Sequence, residues 1–317
     1  MKKFISIVVS VTILSIIYSR IDIENLGRVF VNSNGLIMSL ALIMVVPITL
    51  MTSWRLQTLM PKNSTLDFLE ANRLILGASV LNMVLPSKMG DIAKAYFMKD
   101  RGHLSGSLSL SLVVFEKTSD LLSLLLWCVF GLIIYQPKNN LFLLMTLGVI
   151  TGLIFGITLL SSPQFAQIFF KTLIKILPKK ISSKFVKLEA SWLEMHEYFW
   201  QDKKQLVTIF SMSIFIWFLH LFQIWLFILA LRAYVPFLTN LALSPLAIVA
   251  GLLPLTFAGV GTRDGALILF YQPYFNETVG AALGLLCTSR YFLPAIIGLP
   301  FFGQMMATMK TMKKNQG

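Results

Sequence analysis

Residues 66–101 read LDFLEANRLILGASVLNMVLPSKMGDIAKAYFMKDR, an apolar stretch broken by proline, glycine and charge. Its apolar part, Leu66 to Leu85, matches the span of about 20 residues that a helix needs to cross a hydrocarbon core of about 30 Å. If it crosses fully, Lys88, Lys94, Lys99 and Arg101 face the outside. If it dips in and returns, those cations lie inside, beside Arg55, Lys62 and Arg73. Cytoplasmic loops carry the excess of Lys and Arg, so the second placement agrees with the rule. The stretch is expected to form a re-entrant helical hairpin.

Working outward, plain apolar runs predict spans over Phe4 to Ser19, Gly35 to Ser53, Leu104 to Tyr135, Leu141 to Leu160, Leu206 to Leu231, and Thr278 to about Thr308. A second interrupted stretch, Leu241 to Tyr271, reads as another hairpin. The expected fold is all-α: a polytopic membrane helix bundle of about six spans plus two re-entrant hairpins in an inverted pseudo-repeat. Residues 1–160 form the first membrane half, 161–205 a basic amphipathic cytoplasmic segment, and 206–317 the second half. With this arrangement the cytoplasm receives Lys171, Lys175, Lys179, Lys180, Lys184, Lys187, Lys203, Lys204, Lys310, Lys313 and Lys314. The outside keeps Arg20, Arg28, Lys138 and Arg232, so both termini are placed in the cytoplasm and the protein in the cytoplasmic membrane.

Composition agrees. Of 317 residues 56% are apolar and 13% charged, and the mean hydropathy is +0.76, which is more apolar surface than one soluble core can bury. The net charge of +13 lies between apolar runs rather than on a soluble face, which argues against nucleic acid as a partner. Met1-Lys2-Lys3 followed by Phe4 to Ser19 has the order of a signal peptide, but Tyr18-Ser19-Arg20-Ile21-Asp22 is a poor cleavage site, so a retained first span is expected. Cys128 and Cys287 follow no metal or redox spacing and read as small buried hydrophobes. His103, His196 and His220 are far apart and form no metal motif, and no nucleophile elbow occurs, so no metal, cofactor or catalytic residue is assigned. In residues 161–205, Phe165, Phe169, Ile176, Phe185, Leu188, Trp192, Met195 and Phe199 alternate with lysines. Such a segment suits either a helix lying on an anionic leaflet or a helical hairpin packed on its own loops.

The two interrupted stretches share an order of parts. Leu81-Asn82-Met83-Val84-Leu85-Pro86 leads to Gly90-Asp91, and Gly251-Leu252-Leu253-Pro254 leads to Gly259-Val260-Gly261-Thr262-Arg263-Asp264-Gly265. A long helix follows each, carrying Glu116-Lys117-Thr118-Ser119-Asp120 in one half and Thr288-Ser289-Arg290 in the other. A charge near the bilayer centre costs about 2.5–3.5 kcal/mol on insertion scales, so such residues face protein or water. Asp120 could pair with Arg290, and Glu116 with Arg263; such pairs could equally do no more than lock helices together. Broken helices expose N–H groups and form anion sites, which points to Gly259, Gly261 and Arg263, and to Asn82, Gly90, Lys88 and Lys94. A transferase using Asp91, Glu116 and Asp120 is the catalytic alternative.

These motifs, Asn82 to Asp91, Glu116 to Asp120 and Gly259 to Gly265, resemble the transmembrane region of lysylphosphatidylglycerol synthases and its stand-alone relatives. The resemblance implies flipping of aminoacylated phospholipids or a role beside glycolipid, hopanoid or polysaccharide assembly. The chain departs from the pattern in having Lys94 after Asp91 and Lys117 after Glu116 where the family has arginine; lysine lacks the bidentate fork for phosphate. The 317 residues hold no soluble aminoacyl-transfer domain, so synthesis of lysylphosphatidylglycerol by this chain alone is not expected. The functional expectation is a flippase-like protein for an anionic lipid or lipid-linked glycan, with envelope-biosynthesis enzymes as further partners. Arg263 and Arg290 would hold the head-group phosphate, while Asp91, Glu116, Asp120 and Asp264, with Lys117, form a buried charge network that positions the basic residues or carries coupling protons. A scaffold for envelope enzymes is the non-transporting alternative.

Overall fold

The computed structural model describes residues 23–61, 66–84, 89–134, 140–252 and 261–314. The expected first span, Phe4 to Ser19, lies outside them, as do Lys88 and Gly259. Fourteen helices fill the described residues: α1 Ile23–Val31, α2 Gly35–Ile43, α3 Val45–Leu59, α4 Phe68–Val84, α5 Met89–Arg101, α6 Gly106–Ile134, α7 Asn140–Ser161, α8 Pro163–Ile176, α9 Lys179–Gln201, α10 Lys203–Ala230, α11 Phe237–Leu252, α12 Thr262–Tyr271, α13 Glu277–Ser289 and α14 Phe292–Lys314. No strand occurs among the described residues. Five stretches are long and apolar enough to cross a bilayer: Gly35–Leu59, Gly106–Ile134, Phe142–Ser161, Lys203–Ala230 and Glu277–Gly303. They coincide with the remaining five expected spans. At 29 residues, α6 is about 43 Å long, more than a hydrocarbon core requires.

Local sequence explains the breaks. Pro47 has no N–H to donate and its ring crowds the carbonyl four residues back, which accounts for the turn at Met44 between α2 and α3. Asn34 caps α2 by accepting from the N–H groups of Leu36 and Ile37 at 3.1 and 3.2 Å. Ser162 caps α8, Pro163 takes its first position, and the chain turns away from α7 there. α1, with its exposed Glu24–Arg28 pair, is a helix ahead of the span that begins at Gly35.

The chain divides into two compact units. The first comprises Met1–Ile48, Leu124–Ile150 and Ile216–Leu293. Its core brings Leu221, Ile224 and Phe227 of α10 together with Leu241 and Leu243 of α11 and Leu283 and Cys287 of α13. The second comprises Thr49–Ser123, Thr151–Phe215 and Pro294–Gly317. Its core gathers Leu56 of α3, Leu81 of α4, Met98 of α5, Phe115 of α6 and Met195 and Phe199 of α9.

Each unit contains one of the interrupted stretches as two helices packed on each other, α4 on α5 and α11 on α12. In the second unit the Asn82 side-chain oxygen accepts from the Gly90 N–H at 2.9 Å. A Cβ on Gly90 would lie 2.2 Å from the Ala78 carbonyl oxygen, so only glycine permits that approach. In the first unit a buried triangle joins the arms. Tyr271 donates to the Asn240 oxygen at 3.0 Å, Ser244 lies 2.8 Å from the Tyr271 hydroxyl and 2.9 Å from the Asn240 oxygen, and the Asn240 amide donates to the Leu221 carbonyl. A further feature recurs: a glycine of a long helix presses on the backbone of each first arm. Gly298 of α14 meets Leu76 of α4, and Gly131 of α6 meets Ala242 of α11; a Cβ at either glycine would stand 2.3 Å from the carbonyl oxygen.

Helices α8 and α9 pack on each other, so residues 161–205 contain a helical hairpin, and it packs on the end of α7. Trp192 and Trp200 donate to the Leu159 and Leu160 carbonyls at 3.1 Å, and His196 lies 3.3 Å from the Ser161 carbonyl. Three rings spaced four residues apart thus satisfy the last-turn carbonyls of α7, which a helix leaves without partners. Phe199 stacks on Phe115 of α6 with ring centroids 3.8 Å apart.

Candidate functional site

Glu116 and Asp120 stand four residues apart on α6 and so share a face. Arg55 of α3 meets both, donating to Glu116 Oε1 at 3.1 Å and to Asp120 Oδ2 at 3.3 Å, and pairing with Asp120 Oδ1 as well. Its Nη1 also donates to Ser213 Oγ of α10 at 2.8 Å. Lys94 of α5 pairs with the other Glu116 oxygen. Asp91, one turn earlier on α5, lies 4.0 Å from Lys94 and 3.1 Å from Lys117.

These six residues, three acids and three bases, cancel in charge. The centre of the chain of pairs is sealed: Arg55 and Lys94 are 1% exposed and Glu116 2%. The Lys117 side chain is 45% exposed. Burying so many charges is expensive, and the cost is offset only where every charge has a partner, as here. Among the described residues, Arg55 Nε and the Ser119 and Ser123 hydroxyls are buried without a hydrogen-bond partner beside this network.

The first unit is built differently. Gly261 adopts φ 99°, a conformation that favours glycine, and starts α12. Asp264 accepts the Gly261 N–H at 3.1 Å and receives Nε and Nη2 of Arg263 at 2.9 and 2.6 Å. Arg263 Nη2 also donates to the Gly284 carbonyl at 3.1 Å and to Thr288 Oγ1 at 2.6 Å, both on α13. A Cβ on Gly284 would come within 3.0 Å of the Asp264 side chain, so the missing side chain makes room for the pair.

Arg290 follows α13 as its C-cap and is 4% exposed. Its Nη2 donates to the Tyr291 hydroxyl at 3.3 Å, and its guanidinium lies 5.2 Å from the Tyr291 ring centroid. Among the described residues its Nε and Nη1 have no partner. Arg263 and Asp264 neutralise each other, and among the described residues no carboxylate pairs with Arg290.

Residues 3–298 match the family model of the lysylphosphatidylglycerol synthase TM region. The chain belongs to this family. It is also similar to the UPF0104 membrane protein MJ1595 of Methanocaldococcus jannaschii, at 24% identity over 94% of this chain and 93% of that protein. As a member of the lysylphosphatidylglycerol synthase TM region family it is a membrane protein, and its long apolar stretches are transmembrane helices.

Within this family member the expected site residues separate into distinct groups. Asn82 and Gly90 are used on each other, closing the hairpin. Lys94, expected as a phosphate ligand, is held by Glu116 instead. Asp91, Glu116, Lys117 and Asp120 do form one network, and Asp264 a separate pair. Within each unit the ion pairs are local: Glu116 and Asp120 take Arg55, which the sequence did not single out, and Arg263 takes Asp264. A span that ends at Ser53 leaves Arg55 among the cytoplasmic cations and outside the expected site. The helix runs on to Leu59 and buries it. A single arginine within one turn of an apolar run, in Trp54-Arg55-Leu56, was the available signal.

Proposed function

We propose that the protein is flippase-like, moving or presenting an anionic phospholipid or polyprenyl-phosphate-linked lipid whose phosphate is held by Arg290. The observation that carries this reading is the buried Arg290 guanidinium with Nε and Nη1 unpartnered among the described residues. A buried charge is costly unless paired, and a phosphate bound there would supply the counter-charge. Family membership supports a lipid substrate.

In this mechanism Arg263 is a positioning residue, since Asp264, Gly284 and Thr288 occupy its donors. Asp91 and Asp120, less buried than Glu116, hold Lys117 and Arg55 in place. Each helix pair is read as a re-entrant hairpin and both termini as cytoplasmic, which the distribution of lysine and arginine supports. Envelope glycolipid enzymes are the natural neighbours of such an activity.

Translocation of a fluorescent phospholipid in proteoliposomes tests the assignment. Arg290→Gln abolishes it and Arg290→Lys, with a point charge but no fork, retains a part. Wild-type translocation by Arg290→Gln would sink the site. Turnover of a lipid head group in detergent, where there are no two sides, would turn the reading to a transferase.

A further inference from the structure

Helix α8 has a face that its own unit does not cover. Ala166 and Phe170 are buried on one side, whereas Ile168 is 65% exposed, Ile176 74%, and Lys171, Thr172 and Lys175 are exposed between them. Positions 168, 171, 172, 175 and 176 follow the spacing of a single helical face. Isoleucine at both ends with two lysines between is a poor surface for water and a good one for the boundary between lipid head groups and acyl chains.

The neighbouring span leads to it. On α7 the exposed Leu147, Ile150, Ile154 and Ile157 make an apolar stripe. The chain turns at Ser162–Pro163, and Phe155 meets the rings of Phe165 and Phe169 at 5.8 and 5.2 Å, which wedges the corner. Beyond it the apolar exposure resumes at Ile168 and Ile176.

We infer that the outer face of α8 binds anionic phospholipid head groups of the bilayer, with Ile168 and Ile176 seated at the acyl boundary and Lys171 and Lys175 on the phosphates. Continuity with the apolar stripe of α7 favours a lipid surface over a soluble acidic partner. The inference is independent of Arg290, which lies in the other unit and on other helices.

The test uses the full chain in nanodiscs of phosphatidylcholine with and without phosphatidylglycerol, carrying an environment-sensitive fluorophore at Thr172→Cys. Cys128 and Cys287 are fully buried and stay unlabelled. Quencher-bearing phosphatidylglycerol should quench the probe more than quencher-bearing phosphatidylcholine. Each lysine near an anionic surface is worth about 1 kcal/mol, so Lys171→Gln or Lys175→Gln lowers that preference about fivefold and high salt lowers it further. Ile168→Ser with Ile176→Ser should reduce quenching by both lipids alike. Equal quenching by the two lipids in the unsubstituted protein overturns the inference, as does a probe that reports water in both nanodiscs.

Discussion

The unit of Thr49–Ser123, Thr151–Phe215 and Pro294–Gly317 pairs three acids with three bases around a buried centre, whereas that of Met1–Ile48, Leu124–Ile150 and Ile216–Leu293 buries Arg263 with Asp264 and, among the described residues, leaves Arg290 without a carboxylate. Both units solve the same problem, ionised groups at membrane depth, and the difference separates structure from site. A closed network offers a ligand no charge to neutralise. A guanidinium with no carboxylate partner among the described residues does. The hairpins differ in the same sense: α4 and α5 are joined by backbone approach at Gly90, while α11 and α12 are joined by neutral side chains, Asn240, Ser244 and Tyr271.

The contrast breaks most visibly at Glu116. Glu116→Gln removes the carboxylate shared by Arg55 and Lys94 and leaves two buried cations with too few partners. A loss of about 3–5 kcal/mol is expected, read as a large fall in the thermal unfolding midpoint in detergent. A midpoint within a degree or two of the parent would mean that water, not Glu116, screens those cations.

Next in size are the glycine crossings, where the units should behave alike. Gly298→Ala and Gly131→Ala each push a methyl group against a carbonyl oxygen, of Leu76 and Ala242, and each should cost about 1–3 kcal/mol. Gly148 of α7 has open space around it, so Gly148→Ala should stabilise by about 0.5–1 kcal/mol through backbone entropy. Chemical denaturation of the three variants side by side decides this. Equal effects at Gly148 and Gly298 would mean that the crossing is not tight.

Sequence reading reached much of this and stopped where sequence has no geometry. The spans were legible because hydrophobic length is a direct physical requirement of the bilayer. Glu116 and Asp120 were legible because carboxylates are rare in an apolar helix. Arg55 was not, because a charge near the end of a span reads equally as its flank. The Asn240–Ser244–Tyr271 triangle was invisible for another reason: its members are ordinary residues in apolar helices, and only the packing of α11 on α12 brings them together. Tyr271→Phe tests how much that triangle holds. Ser244 still donates to Asn240, so no group loses its last partner, and a loss of about 0.6 kcal/mol is expected, as for other hydrogen bonds between membrane helices. A loss several times larger would make the triangle the first unit's equivalent of a charge network.

The smallest expected effect on stability is at Arg290, and it is the one that separates a binding residue from a structural one. The C-terminal end of α13 and the Tyr291 ring each favour a cation, and together they offset part of the desolvation of the guanidinium. Arg290→Gln removes the favourable and the unfavourable terms at once, so the unfolding midpoint should scarcely move while lipid translocation is lost. The same change at Arg263, Arg263→Gln, strands the Asp264 carboxylate and should lower the midpoint before any question of transport arises. If instead Arg290→Gln unfolds the protein as readily as Arg263→Gln, then Arg290 has a structural counter-charge and the distinction between the two arginines collapses.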